Sequence, residues 1–161
     1  MKAPLPLDNV RPKRDTPLVL VVDDYEDARR MYGTYLSFCG FHVEFAGDGL
    51  EAVAKAQELL PDLVLMDLSL PKIDGWEATR RLKANKRTQP IQVVVLTAYA
   101  PSAHIDRAHE LGCEDIISKP CLPDELANKV TALLSSRADG NGNGNVRGID
   151  CNPSQIRGVS Y

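Results

Sequence analysis

The sequence predicts an α/β protein in which five βα units build a doubly wound, parallel five-stranded sheet. Two observations support this prediction: short apolar runs rich in Val, Leu and Ile recur along the chain, and a stretch with helical spacing follows each run. Such short runs, with turn residues nearby, are typical of strands buried on both faces of a parallel sheet. Helices must then cover both faces through right-handed crossovers, so the predicted architecture is a doubly wound α/β sandwich.

The predicted strands and helices alternate along the central part of the chain. The strands are LVLVV (18–22), HVEFA (42–46), LVLMD (63–67), IQVVVLT (91–97) and DIISK (115–119). The helices are predicted at about 28–39, 53–60, 76–84 and 102–111, and from about residue 123 onward. In the first helix one face is shared by Ala28, Met31, Tyr32, Tyr35 and Cys39. Gly40 and Gly112 stand where C-terminal caps of helices belong.

The length of 161 residues suits one globular domain with tails rather than two domains. We predict a flexible N-terminal segment at 1–16, a globular domain at 17–137 and a disordered Gly/Asn-rich tail at 138–161. The tail contains the run ADGNGNGNVRG, which has almost no apolar residue to bury. Its last residues are too few and too polar for an output domain, so we expect none in this sequence.

Composition excludes several classes of function. With 22 acidic and 19 basic residues the net charge is -3, which favours neither nucleic acid nor an anionic membrane as partner. An aromatic content of 6% is too low for a platform that stacks bases. The four cysteines show neither a CxxC pair nor the histidine spacing of a zinc site. No apolar run reaches membrane-spanning length and prolines break the N-terminus, so we predict a cytoplasmic protein.

Polar residues collect at the carboxyl ends of the predicted strands, where a doubly wound sheet binds its ligand. They are Asp23 and Asp24 after the first strand, Asp67 at the end of the third, Thr97 at the fourth and Lys119 at the fifth; Ala98 directly follows Thr97, and Pro120 directly follows Lys119. Each has an ordinary structural explanation alone, such as a helix start for the acidic pair. Their occurrence at the same end of successive strands predicts one shared site.

The chemistry of that site is predicted from its charges. Three close carboxylates resist simultaneous ionisation unless a cation joins them, and Lys119 offsets only part of their charge. Mg²⁺ prefers oxygen ligands and typically binds one or two carboxylates together with a phosphate. We therefore predict a Mg²⁺ and phosphoryl site, in which Lys119 and a hydroxyl hold the phosphoryl oxygens.

Four motifs resemble the response-regulator receiver family: LVVDDYEDAR, LVLMDLSLPKIDGWE, VVVLTAYA and DIISKPCLPDEL. The resemblance covers roughly residues 17–136. It implies a flavodoxin-like, CheY-like fold with strand order 2-1-3-4-5.

The resemblance also implies a role for each site residue. Asp67 is the phosphoacceptor; the direct Mg²⁺ ligands are Asp24, Asp67 and the backbone carbonyl of Ser69, and Asp23 acts through water. The phosphoryl group is bound by the Thr97 hydroxyl, the Ala98 N–H and Lys119, and the Lys119–Pro120 peptide bond is cis. The turn that shapes the loop after Asp67 contains Pro71, Asp74 and Gly75.

One position departs from the family. Its aromatic switch residue lies three residues before the lysine, where this chain has Ile116. Tyr99 is the nearest aromatic that would substitute, and our hypothesis is that it covers the site and slows attack of water on the acyl phosphate. The other interpretation of Tyr99 is a partly exposed loop tyrosine without a role.

The resemblance implies a single-domain response regulator that accepts a phosphoryl group from a histidine kinase or a His-phosphotransfer protein. It is expected not to be an enzyme with a separate substrate, although it assists its own phosphorylation and dephosphorylation. Its implied output is a protein–protein surface at about Ser102–Ser135, or a phosphorylation-dependent homodimer.

Three alternatives stay open. A pseudo-receiver would act as a phosphorylation-independent scaffold. A haloacid-dehalogenase-like phosphohydrolase would need an Asp two residues after the nucleophile, where Ser69 stands. A flavodoxin-like electron carrier would need a phosphate loop rich in Ser, Thr and Gly, whereas DDYEDA is acidic.

Overall fold

The computed structural model describes residues 12–138, which form five β-strands and five α-helices in strict alternation. They are β1 Leu18–Val22, α1 Glu26–Phe38, β2 His42–Ala46, α2 Gly49–Leu59, β3 Leu63–Asp67, α3 Gly75–Ala84, β4 Gln92–Thr97, α4 Ser102–Leu111, β5 Asp115–Ser118 and α5 Pro123–Ala138. The predicted α/β class and the five βα units are confirmed. Residues 1–11 and 139–161 lie outside the described residues, and with them most of the predicted flexible segment and almost all of the predicted tail.

The sheet is parallel and has the strand order β2-β1-β3-β4-β5, as the resemblance implies. Its register brings the carboxyl ends of the central strands to one edge. Asp67 of β3 is level with Leu96 of β4, and Thr97 is level with Ser118 of β5. The residues that follow these positions therefore begin their loops side by side.

Alternate residues of each strand point to opposite faces and build separate parts of the core. On one face, Val19 and Val21 of β1 pack in a cluster with residues of α1 and α5. On the other face, Leu20 and Val22 pack with residues of α2 and α3. A smaller cluster contains Leu68, Trp76, Val95 and Ala108, with Leu111, Cys113 and Ile116 packed against it. The helices thus cover both faces, which is the doubly wound arrangement.

The prediction that all five strands are buried on both faces is wrong for the two edge strands. Only Ala46 of β2 and only Ile117 of β5 are buried. Each of these strands has a single neighbouring strand, so fewer helices cover it than cover the centre of the sheet. In α1, the residues that we predicted to share one face differ in burial. Tyr32 is buried, whereas Met31 is 47% exposed.

Side-chain caps and left-handed residues set the helix boundaries. Asp48 and Asp74 cap α2 and α3 by accepting a hydrogen bond from the third N–H of each helix, at 2.8 Å in both cases. Gly112 ends α4 with φ 80°, as its predicted role as a stop requires. α2 begins at Gly49, because its N-cap is Asp48.

The described part of the N-terminal segment is attached to the domain. Arg14 donates from its guanidinium to the Leu60 carbonyl at 3.1 Å and to the Leu59 carbonyl. Arg14, within the segment 1–16 that we predict to be flexible, thus contacts the C-terminal end of α2. At the other end, α5 includes Ala138, one residue beyond the predicted domain boundary. Within residues 12–138, no helix combines the length and the apolar composition needed to cross a membrane.

Candidate functional site

Lys119 joins two buried carboxylates at the carboxyl edge of the sheet. Its Nζ lies 2.7 Å from Asp23 Oδ2 and 3.2 Å from Asp67 Oδ2. Asp23 follows β1, Asp67 ends β3 and Lys119 follows β5, so three strands position the triad. The backbone N–H of Lys119 donates to the Thr97 carbonyl at 2.7 Å, which extends the β4–β5 ladder to the site. The structure thus brings together Asp23, Asp67 and Lys119, three of the side chains that we predicted to meet at the strand ends.

The acidic cluster suits a small divalent cation. Asp23, Asp24 and Asp67 each offer a carboxylate oxygen, and these oxygens all lie within 4.8 Å of one another. Asp23 and Asp67 are only 2% and 7% exposed, whereas Asp24 is an exposed residue. Mg²⁺ takes hard oxygen ligands and keeps several waters, which an open side at Asp24 permits. The residues present therefore fit a Mg²⁺ ion.

The electrostatics of Asp67 and Lys119 are coupled. Burial raises the pKa of Asp67, and the Lys119 charge and the Ser69 N–H only partly offset this effect. For Lys119 burial lowers the pKa, but its hydrogen bond to Asp23 and the charge of Asp67 outweigh burial, so the net pKa is raised. Lys119 therefore remains a cation at neutral pH, available to bind an anion at Asp67.

The loop after Asp67 is built by close backbone packing. Ser69 N–H donates to Asp67 Oδ1 at 3.1 Å, and Gly75 N–H donates to the Leu68 carbonyl at 3.0 Å. A Cβ on Gly75 would lie 2.1 Å from the Asp67 carbonyl oxygen, so only glycine permits this approach. Ser69, whose carbonyl is an implied Mg²⁺ ligand, is exposed in this loop. The expectation that Gly75 shapes the loop agrees with these contacts.

The same loop packs on the start of α2, which the sequence did not reveal. A Cβ on Gly49 would lie 2.2 Å from the Ile73 carbonyl oxygen. Lys72, at φ 70°, forms an ion pair of 3.0 Å with Asp48, the N-cap of α2. A glycine at the first position of a helix is the only sequence signal for this contact.

Thr97 is buried, and its hydroxyl is turned to the loop that follows β4. It donates to the Tyr99 carbonyl at 2.9 Å and accepts from Tyr99 N–H at 3.3 Å. Ala98, the implied N–H donor, is exposed beside it. The Tyr99 side chain is 71% exposed, and its ring lies edge-on to the ring of His104 in α4, with the centroids 6.3 Å apart.

Ile116 lies inside β5, level with Val95, and is partly buried against the cluster that contains Trp76 and Ala108. The aromatic switch position is thus occupied by a residue that packs into the β5–α4–α3 contact. The Lys119–Pro120 peptide bond is cis, the isomer that the resemblance implies.

Sequence reasoning assigned no role to Trp76, His104 and Arg107, which the structure brings together. The His104 ring lies edge-on to the Trp76 ring, with centroids 5.5 Å apart, and the Arg107 guanidinium carbon lies 4.8 Å from the Trp76 ring centroid. The spacing of His104 and Arg107, three residues apart, places them on one face of α4. From the sequence, this spacing predicts that His104 and Arg107 share a face of α4. It does not predict that they contact Trp76 of α3.

Comparisons with known proteins agree with this geometry. The family model described as the response regulator receiver domain matches residues 19–131. The DNA-binding dual master transcriptional regulator RpaA of Synechocystis is 35% identical over 118 residues, which are 73% of this chain and 49% of that protein. The polar-differentiation response regulator DivK of Brucella ovis is 36% identical over 119 residues, 74% of this chain and 97% of DivK.

Solved structures give the same result. A CheY-like receiver domain protein of Methanospirillum hungatei has a TM-score of 0.73 at 27% identity, and covers 78% of this chain and 99% of its own. The chemotaxis protein CheY4 of Vibrio cholerae has a TM-score of 0.69 at 27% identity, and covers 73% and 98%. The chain spans about half the length of the transcriptional regulators that it matches. By its sequence match and its fold, the chain belongs to the response regulator receiver domain family.

Proposed function

We propose that this protein is a phosphoacceptor switch of a two-component system, and that it receives a phosphoryl group on Asp67. The observation that carries the proposal is the Lys119 ammonium held between Asp23 and Asp67, which form a cluster of three carboxylates together with Asp24. A cation fixed beside a buried carboxylate, with oxygen ligands for a metal, suits the binding of a transferred phosphoryl group. Family membership supports the same chemistry.

The donor is phosphohistidine on a histidine kinase or a His-phosphotransfer protein. A carboxylate oxygen of Asp67 attacks the phosphorus in line, a P–O bond forms, and the P–N bond to the imidazole breaks. The imidazole nitrogen keeps the electron pair of that bond. Water later attacks the phosphorus of the aspartyl phosphate, which releases inorganic phosphate and restores Asp67. The protein takes part in both steps without acting as an enzyme on a separate substrate.

Asp24, Asp67 and the Ser69 carbonyl are the proposed direct ligands of Mg²⁺, and Asp23 acts through water. Asp23 already accepts a hydrogen bond from Lys119 and, at 2.9 Å, from Tyr25 N–H, which supports an indirect role. When bound, Mg²⁺ supplies positive charge between the carboxylates and the phosphoryl oxygens. Lys119, whose Nζ lies 3.2 Å from Asp67 Oδ2, supplies a second positive charge.

Thr97 and the Ala98 N–H are the proposed donors to the phosphoryl oxygens. Thr97 must exchange its bond to the Tyr99 carbonyl for one to the phosphoryl group, and this exchange biases the conformation of the surface at Ser102–Ser135. We propose that this surface binds a protein partner, or a second copy of the chain, in the cytoplasm.

A pseudo-receiver that binds partners without phosphorylation is the second candidate. Ile116 at the aromatic switch position favours it, since the usual path from the threonine to an aromatic residue is altered. The two candidates differ in whether Asp67 is phosphorylated.

The test is the intact mass after incubation with acetyl phosphate in the presence and absence of Mg²⁺. Wild type and Asp106→Asn, which removes an exposed carboxylate of α4, are expected to gain one phosphoryl group only with Mg²⁺. Asp67→Asn is expected to gain none. No adduct in wild type, even from a kinase donor, would contradict the proposal and favour the pseudo-receiver. An adduct that persists in Asp67→Asn would place the acceptor elsewhere.

A further inference from the structure

We propose that His104 is a positioning residue for Thr97, acting through the Tyr99 carbonyl. Thr97 donates to this carbonyl at 2.9 Å, and His104 Nδ1 lies 3.2 Å from the same oxygen. The inference rests on the proposed function, because it concerns the movement of Thr97 to a phosphoryl group on Asp67.

The tautomer of His104 follows from its partner. A carbonyl oxygen only accepts hydrogen bonds, so the contact requires a proton on Nδ1, in the neutral Nδ1–H tautomer or in the protonated ring. The Tyr99 carbonyl then accepts two bonds, one from Thr97 and one from His104, which uses both of its lone pairs. The two side chains share one acceptor.

The shared acceptor becomes important when the Thr97 hydroxyl leaves the Tyr99 carbonyl to bind a phosphoryl group on Asp67. Without His104, the departure of the Thr97 hydroxyl would leave the carbonyl of the exposed residue Tyr99 to water alone, and we expect this exchange to raise the free energy of the phosphorylated conformation modestly. With His104 in place, one donor remains after Thr97 has left. His104 therefore favours the conformation in which Thr97 binds the phosphoryl group.

The surroundings of His104 fix its ring for this role. The ring lies edge-on between Tyr99, at 6.3 Å, and Trp76, at 5.5 Å between centroids. Trp76 is 6% exposed, and Arg107 covers its ring at 4.8 Å. A ring held on two sides loses little further freedom when it donates to the carbonyl.

The arrangement also links Thr97 to the helices. Trp76 belongs to the cluster that contains Leu68, which directly follows Asp67, and Ala108 of α4. A change at the Tyr99 carbonyl therefore reaches α4 through His104, in a chain whose aromatic switch position is occupied by Ile116.

Two substitutions separate the hydrogen bond from the ring packing. His104→Asn keeps an N–H donor close to the position of Nδ1 and removes the ring, whereas His104→Phe keeps a ring and removes the donor. Beryllofluoride, an inorganic analogue of the phosphoryl group, serves as the probe with saturating Mg²⁺. Fluorine NMR of the bound species measures the affinity, and the emission of Trp76, the one tryptophan of the sequence, reports the surroundings of His104.

We expect His104→Phe to bind beryllofluoride about two- to threefold more weakly than wild type, as the loss of one modest hydrogen bond implies. His104→Asn is expected to keep the wild-type affinity. In a Thr97→Val background, His104→Phe is expected to cause no further loss, since no hydroxyl then leaves the carbonyl. Binding is expected to change Trp76 emission in wild type but not in His104→Phe.

The outcomes distinguish this inference from the proposed function. If wild type binds beryllofluoride and His104→Phe binds it equally well, the role of His104 is wrong and the proposed function stands. Equal losses in His104→Asn and His104→Phe would assign the effect to ring packing and overturn the inference. If wild type binds no beryllofluoride with Mg²⁺, the proposed function fails, and the role of His104 fails with it.

Discussion

The loop that follows Asp67 and the loop that follows Thr97 are held by different kinds of contact. The acceptor loop, residues 68–74, is fixed by backbone packing: Gly75 lies against the Asp67 carbonyl and Gly49 against the Ile73 carbonyl. The switch loop, residues 98–101, is held by side chains, since Thr97 and His104 both bind the Tyr99 carbonyl. Close backbone packing permits only one arrangement of the acceptor loop. A side chain, in contrast, changes its hydrogen-bond partner by rotating about its own bonds.

The helix that follows each loop shows the same difference. Asp74 caps α3 with a 2.8 Å hydrogen bond to the Glu77 N–H, whereas Pro101 at the start of α4 makes no side-chain cap bond. A capped start resists fraying, with a typical contribution of about 1 kcal/mol. Asp67, the proposed phosphoacceptor, thus lies next to the loop held by backbone packing, and Thr97, the proposed switch hydroxyl, lies next to the loop held by side chains.

The largest expected effect comes from breaking the acceptor loop. Gly75→Ala would place a Cβ 2.1 Å from the Asp67 carbonyl oxygen and 2.8 Å from Leu68 Cα, and these backbone atoms cannot move aside as the end of a side chain can. We expect unfolding free energy to fall by about 3 kcal/mol, the upper end for overpacking, with less phosphorylation of Asp67. Urea unfolding and the intact-mass assay measure the two effects.

Gly47→Ala is the matched control. Its Cβ would meet Arg29 Nη1 at 3.3 Å, at the end of a long side chain that can shift by a few tenths of an ångström while keeping its hydrogen bond to the Asp23 carbonyl. We expect a change within about 0.5 kcal/mol, as for an ordinary surface substitution. Equal stability of the two alanine variants would show that the acceptor loop is not held by backbone packing.

A smaller effect is expected from releasing the switch loop. Thr97→Val removes both hydrogen bonds to Tyr99 and is expected to cost about 1 kcal/mol of unfolding free energy. Thr79→Val is the control, since Thr79 is also buried and donates to the Gly75 carbonyl at 2.7 Å. Hydrogen exchange of the Tyr99 amide is expected to accelerate in Thr97→Val alone. Acceleration in both variants would contradict a local role of Thr97.

The smallest effect is expected at the ion pair of Lys72 and Asp48. The Glu51 N–H and then Lys72 hold the pKa of Asp48 below its ordinary value of 3.8. A lowered pKa in the folded state means that this stabilisation is present above pH 3.8 and is lost as the pH falls through the folded pKa. Asp48→Asn keeps a cap and removes the charge, so its urea midpoint should lie slightly below that of wild type at neutral pH and approach it in acid. A difference that widens in acid would contradict the assignment.

Much of the site was predictable because it follows from strand order in the chain. The apolar runs gave β1, β2 and β3 their observed bounds, and Asp67 and Lys119 were expected to meet because parallel strands end at one edge. The edge strands β2 and β5 were misjudged, since an apolar run carries no information on how many neighbours its strand has. Met31 was misplaced for a similar reason: helical spacing defines a face but not its full width.

The residues around His104 were not predictable. Its partner is a backbone carbonyl five positions earlier in a loop, and Trp76 lies on another helix. No periodicity or spacing encodes which carbonyl a histidine meets after the chain has folded. The same holds for Gly49, whose need for glycine arises from the Ile73 carbonyl of a distant loop.

The sequence by itself determined the alternation of strands and helices, the parallel sheet and the set of charged residues at its carboxyl edge, because these depend on local spacing and on the rules of chain connection. Only the tertiary structure decided which contacts hold the two loops. Those contacts depend on distances of a few ångströms between segments far apart in the chain, where a carbonyl group or a missing Cβ decides between a fixed loop and a movable one.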